Sequence, residues 1–412
     1  MTRPTPPDRR GIERRLALIY GAAFLVFGVQ SPFLPVWLTE RGLGVAQIGL
    51  ALAGPRILQV FVVPALSRWA DKRGGIVAML VLSSLSMTLL FAALAATTGL
   101  TPTLVVIGLL FFVQSGALPL IDVLAFAIFG PGGAAASGAL GAPEAGAPPF
   151  DYGRLRKWGS AAFIAGNLLA GLFLTLTSLT AVTLLLTAAA ALAAAVSLRA
   201  WPLDRLIHPS TRSDAAAEGG TGSRLLPLVI GAAALIQASH VLVLSFASVH
   251  WARSGHSDAF IGVAWAIGVA AETLVFAVFG RWIAGADQAA GMMILGGLAA
   301  TARWTVMAFD PSDLVLALAQ AGHGLSFAAT HAGTMLLISE MAPAGRRAQA
   351  QGWMTAAISG LGAVLMIAGG PLVVRFGEYS YFVMAIFALA GTVLAASVSA
   401  LRARERVRGS AA

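Results

Sequence analysis

The apolar runs of this chain leave it few ways to fold. Twelve of them fall at roughly 16–39, 46–67, 76–97, 103–127, 156–177, 180–200, 225–249, 259–282, 290–309, 313–339, 347–370 and 379–401. About 20 apolar residues in a helix, rising about 1.5 Å each, cross the hydrocarbon core of a bilayer. Only 11% of the residues are charged, against about 25% in an ordinary soluble domain. The 46 glycines and abundant alanines suit close approach of helices in lipid. The expectation is an all-α membrane protein with twelve transmembrane helices.

Loop charge sets the orientation. With both termini in the cytoplasm, the inside segments carry 22 Lys/Arg and the outside loops three, Arg41, Arg253 and Arg375. That bias follows the positive-inside rule and fits an even number of spans. The first run exceeds the length of a cleavable signal core, so it is read as a retained span. The expected location is a bacterial inner (plasma) membrane, crossed many times.

Two stretches break the pattern. Phe129–Phe150, rich in Gly, Ala and Pro, reads as a flexible cytoplasmic loop. Trp201–Arg224 is polar and reads as a cytoplasmic linker between an N-terminal six-helix bundle (1–200) and a C-terminal one (225–412). An internal repeat supports two pseudo-symmetric halves. Ile48-Gly49 and Ile261-Gly262 open the second and eighth spans, and Arg68-Trp69 and Arg281-Trp282 close them, at one common offset of 213 residues.

Three successive spans each carry an ionisable residue far from either end: Glu272, Arg303 and His323. A charge at mid-membrane costs about 2.5–3.5 kcal/mol even on lenient insertion scales, and such residues mark substrate or proton pathways. Gln237 and His240 on the seventh span, and Gln320 and His331 on the tenth, add polar groups at neighbouring depths. Glu272, His323 and His331 are candidates for proton coupling. A static buried ion pair joining three helices is the competing account. In the first half Gln30, Arg56 and Gln114 lie within spans. A guanidinium suits a carboxylate, so Arg56 and Arg303 are candidates to hold an organic acid. Gln30, Gln114, Gln237, His240, Trp304 and Phe327 complete the candidate substrate site. Asp71, Lys72 and Arg73 at the cytoplasmic face, and Asp122 with Arg154 and Arg156, read as gating pairs whose small energies suffice to bias a two-state gate.

The twelve spans, central loop and six-helix repeat resemble the major facilitator superfamily. Ser67-Arg68-Trp69-Ala70-Asp71-Lys72-Arg73-Gly74-Gly75 is similar to that family's loop motif after the second span. Asp151-Tyr152-Gly153-Arg154-Leu155-Arg156-Lys157-Trp158-Gly159-Ser160 is similar to the start of the fifth span in the phenylpropionate permease branch. Short runs around Asp122, Glu272, Arg303-Trp304, His323 and His331 resemble the same branch. The acid, Arg and His of spans eight to ten also resemble the coupling residues of lactose permease-like symporters, in which an acidic residue follows the His by one turn. Here that position is Ser326.

The resemblance implies two six-helix bundles with the binding site between them, and proton-coupled uptake of a small aromatic acid. A sugar or nucleoside symporter and an efflux transporter remain alternatives, with a non-transporting membrane sensor ranked below them. No P-loop and no His-Glu-x-x-His motif is present, which argues against an ATP-driven pump and an enzyme. The absence of cysteine and the wide spacing of the histidines leave no metal site or cofactor to expect. The net charge of +9 sits in loops and tails, not in a nucleic-acid-binding stripe. The expected partners are a small-molecule substrate, protons and lipid, and a monomer suffices.

Overall fold

The computed structural model describes residues 9–54, 57–58, 61, 75–129, 152–201, 203, 223–279, 286–343 and 346–410. Helices cover eleven of the twelve expected spans, and the second begins as a helix at Val45–Gly54. Eight helical stretches among the described residues are long and apolar enough to cross a membrane by length and composition. Leu89, Leu169, Leu184, Leu274, Val364 and Ile386 stand exposed along them. So many exposed large apolar side chains suit hydrocarbon, not water.

In chain order the helices are α1 (Arg9–Glu40), α2 (Val45–Gly54), α3 (Ile76–Ala96), α4 (Leu100–Gln114), α5 (Ala117–Phe129), α6 (Tyr152–Leu176) and α7 (Val182–Arg199). They continue with α8 (Leu226–Ala238), α9 (Ser248–Arg253), α10 (Asp258–Phe279), α11 (Ala286–Met307), α12 (Asp313–Ala321), α13 (Thr330–Met341), α14 (Arg347–Phe376) and α15 (Tyr381–Ser410).

The chain divides into two compact units. The first comprises Met1–Leu43, Leu58–Arg212 and Ser257–Gly262. Within it α1 packs against α6 and α7, and α3 against α7, α4 and α5. Its core gathers Leu16, Ile19, Tyr20, Val77, Leu80, Leu124 and Ile128. Close approach of α1 and α6 depends on Gly28, where a Cβ would lie 2.5 Å from the Phe163 carbonyl oxygen. The second unit comprises Gly44–Ile57, Ser213–His256 and Val263–Ala412. Within it α11 packs on α13 and α15, and α8 on α13, α14 and α15, around Val229, Ala232, Met293, Leu337 and Val398.

Three expected spans are interrupted. The fourth is two helices, broken at Ser115-Gly116, and Pro119, which has no N–H to give to the Ser115 carbonyl, lies in the first turn of α5. The seventh runs from α8 through a turn at Ser239-His240 and a π-helical turn at Val243–Ala247 into α9. The tenth runs from α12 through a π-helical turn at Gly324–Ala329 into α13. Single π turns inside helices are rare and collect at functional sites. Here one follows His240 and the other follows His323.

Candidate functional site

The residues that converge all lie in the second unit. Gly324 makes the convergence possible. A Cβ there would lie 2.5 Å from the Ala271 carbonyl oxygen, so only glycine lets the π turn press against α10 beside Glu272. His323 Nε2 then stands 3.4 Å from Glu272 Oε2.

Arg303 reaches the same point from α11. Its Nη1 lies 3.1 Å from His323 Nδ1 and 3.5 Å from Ser326 Oγ, and its Nη2 donates to Gln320 Oε1. Its Nε has no partner. The guanidinium carbon sits 4.5 Å from the ring centre of Trp304. Trp304 is fully buried, donates its indole N–H to Ser239 Oγ at 2.9 Å and stacks on Tyr381. It therefore forms a floor under the cation.

Hydrogen-bond chemistry fixes the tautomers. A guanidinium only donates. His323 Nδ1 must therefore offer its lone pair to Arg303, and the ring hydrogen sits on Nε2, aimed at the Glu272 carboxylate. The sequence suggests an acid, a base and an imidazole at one depth. The geometry orders them with the imidazole between the two charges. Among the described residues no carboxylate lies within ion-pair distance of Arg303.

His240 is 2% exposed. Its Nδ1 lies 3.1 Å from the Ile236 carbonyl oxygen, and its Nε2 lies 3.0 Å from Ser326 Oγ. Phe327 stacks between His323 and His331, at ring distances of 5.2 and 6.2 Å. Gln237 donates to the Phe327 carbonyl oxygen at 3.4 Å, and its own buried carbonyl oxygen has no partner. Gln237, His240, Glu272, Arg303, Trp304, His323, Phe327 and His331 thus form one cluster. Ser239, Gln320, Ser326 and Tyr381 join it without having been marked as site residues. The one signal for Ser326 was its place where an acidic residue stands in similar symporters.

The first-unit candidates form two separate groups. Gln30 and Gln114 exchange two amide hydrogen bonds and are both buried. Asp122 accepts from the Tyr20 hydroxyl at 2.5 Å and lies 4.0 Å from Arg156, whose guanidinium also covers the Phe24 ring. Arg56, Asp71, Lys72 and Arg73 lie outside the described residues, as does the side chain of Arg154.

Residues 14–384 match the model of the MFS_1 like family. The chain belongs to that family. It is 28% identical over 397 residues, 91% of this chain and 95% of the relative, to a protein of Escherichia coli (strain K12) named "Probable 3-phenylpropionic acid transporter". Among solved structures it is similar to the nucleoside transporter NupG (TM-score 0.69, 18% identity, 94% of this chain and 98% of that one). A bacterial homologue of the lysosomal transporter Spinster is also similar (TM-score 0.71, 14% identity, 97% and 98%). The family member described here is accordingly an integral, multi-pass membrane protein with the fold of the facilitator transporters. It moves a small molecule and is not an enzyme.

Proposed function

We propose that this chain is a proton-coupled importer of a small aromatic carboxylate, 3-phenylpropionate or a close analogue, working by alternating access between two six-helix bundles. The observation that carries the reading is the state of Arg303. It is a buried cation whose hydrogen bonds run to an imidazole, an amide and a hydroxyl, all neutral, while Glu272 is held on the far side of His323. A buried charge satisfied by neutral dipoles alone gains from an incoming anion, and a guanidinium binds a carboxylate through paired donors.

The same geometry couples substrate to proton. A substrate carboxylate that takes the guanidinium withdraws it from His323 Nδ1, and that lone pair becomes available to a proton. A proton placed first on Nδ1 cannot coexist with the Arg303 donor, and so frees the guanidinium for the substrate. Each ligand raises the affinity for the other by the same factor. One anion and one proton together leave the charge of the cluster unchanged. Glu272, held by the other nitrogen of the same ring, is the second acceptor of the pathway, and His331 extends it along α13.

Phe327, stacked with His323 and His331, supplies an aromatic wall beside the substrate ring, and the unpartnered Gln237 oxygen supplies an acceptor. Gln30, Gln114 and Arg56 are the first-half candidates for the rest of the substrate, and Arg56 is the second candidate for its carboxylate. Asp122 with Arg156 and Arg154, and Asp71 with Lys72 and Arg73, are proposed to bias the gate at a cytoplasmic face that holds both termini. The name of the 28%-identical relative supports the substrate class.

The test is binding of 3-phenylpropionate and of its neutral alcohol to purified wild type, Arg303→Gln and Arg56→Gln. The expected result is a loss of about tenfold or more in affinity for the acid in Arg303→Gln, with little change for the alcohol. Unchanged affinity for the acid in both variants would favour a neutral substrate such as a sugar or nucleoside.

A further inference from the structure

Proton coupling as proposed above gives His240 no part beyond lining the site, yet its hydrogen bonds are those of a titrating group. The ring is buried, and both nitrogens have partners. Nδ1 faces the Ile236 carbonyl oxygen at 3.1 Å, which requires a hydrogen on Nδ1. In the neutral ring Nε2 therefore carries a lone pair, and the Ser326 hydroxyl 3.0 Å away donates to it.

Ser326 has a second acceptor within reach, the His323 carbonyl oxygen at 3.3 Å. A proton added to His240 lands on Nε2, which then donates to Ser326 Oγ. The hydroxyl hydrogen turns to the His323 carbonyl, and the remaining lone pair of Oγ still faces Arg303 Nη1 at 3.5 Å. Every polar atom of the pair keeps a partner in both states, so the proton comes and goes without leaving an unsatisfied buried group. An alanine would give Nε2 nothing in either state. A carboxylate would favour the protonated ring alone. The hydroxyl is the side chain that accommodates both.

The position also ties this proton to the substrate. The ionisable groups that face His240 from neighbouring elements are Arg303 on α11 and His323 at the end of α12, with Glu272 of α10 beyond His323. The charges opposing a proton on His240 are that of His323 when its ring is protonated, which Glu272 beside it offsets, and that of Arg303, which an anionic substrate neutralises. His323 cannot be protonated at Nδ1 without displacing Arg303, whereas His240 can.

We propose that His240, seated against the Ser326 hydroxyl, is a second proton-binding residue of this transporter, filled when an anion occupies Arg303. Ser326 is its positioning residue. The proposal rests on the proton-coupled reading.

The experiment counts the protons taken up per 3-phenylpropionate bound, by titration calorimetry of the purified protein in two buffers of different ionisation enthalpy, across a range of pH. It is done for wild type, His240→Gln, Ser326→Ala and Ser326→Thr. The expected result is a proton number in His240→Gln and Ser326→Ala of about half the wild-type value or less, with a matching change in the pH profile. Ser326→Thr, which keeps the hydroxyl, restores the wild-type number. If His240→Gln loses binding altogether, the Ser326 pair decides alone. A wild-type proton number and pH profile in His240→Gln, or equal numbers in Ser326→Ala and Ser326→Thr, would overturn the proposal while leaving the coupling at His323 standing. No proton uptake in wild type would overturn both.

Discussion

Arg303 sits where two lines of hydrogen bonds meet, because a guanidinium has donors and no acceptor. One line runs through His323 to Glu272 and the other through Ser326 to His240. Replacing Glu272 by Gln keeps an acceptor for His323 Nε2 and removes the titratable carboxylate. The expected outcome is substrate binding with a flattened pH dependence of accumulation, read as uptake against external pH. Wild-type rate with an unchanged pH profile would remove Glu272 from the pathway. In the first unit, Tyr20→Phe removes, at the edge of the packed core, the hydroxyl that the partly exposed Asp122 accepts from. A hydrogen bond to a charged group contributes about 1.5–3 kcal/mol, so a lower thermal midpoint is expected in detergent. At this scale the ionisable residues were legible in the sequence, since a charge in an apolar run announces itself. Gln320 and Ser326 were visible as polar positions, but their partners were not, because neutral polar residues are common in membrane helices and nothing in their spacing says which guanidinium they meet.

The elements were legible as runs and illegible as interruptions. Hydropathy locates a span but does not distinguish an i→i+4 ladder from an i→i+5 turn. The two π turns that follow His240 and His323 therefore left no mark in the apolar pattern. Pro119, just past the break in the fourth span, was in plain view, yet many membrane helices carry proline without breaking. The contact that seats the tenth span against α10 is that of Gly324 with the backbone of Ala271. Gly324→Val should force α10 and the π turn apart and separate His323 from Glu272. We expect a loss of stability of about 1–3 kcal/mol, the usual cost of overpacking. Thermal unfolding should report it, together with loss of pH-driven accumulation in the protein that still folds. A thermal midpoint and pH profile like those of wild type would show that the close approach at Gly324 does not hold the pair together.

At the scale of the whole molecule the sequence located the membrane fold, and the match over residues 14–384 agrees with the family resemblance. It did not indicate that Gly44–Ile57 would cluster with the second unit or Ser257–Gly262 with the first. Such exchanges depend on contacts distant in sequence, to which local pattern is blind. Orientation rests on the loop charges, and the cysteine-free chain makes it testable. Ser254→Cys, in an exposed turn, should react with an impermeant thiol reagent on intact spheroplasts, and Ser213→Cys, in the linker, after permeabilisation only. The reverse pattern would invert the topology and turn import into export.

The central claim is that an aromatic acid and a proton cross together. Its most direct test uses proteoliposomes with a pH indicator in the medium, given 3-phenylpropionate, a sugar or a nucleoside in turn, and empty liposomes to subtract passive permeation of the neutral acid. The account predicts alkalinisation of the medium on addition of the aromatic acid and not of the others, with Arg303→Gln silent. Accumulation of the acid without proton movement would contradict it and return Glu272 and His323 to a structural role.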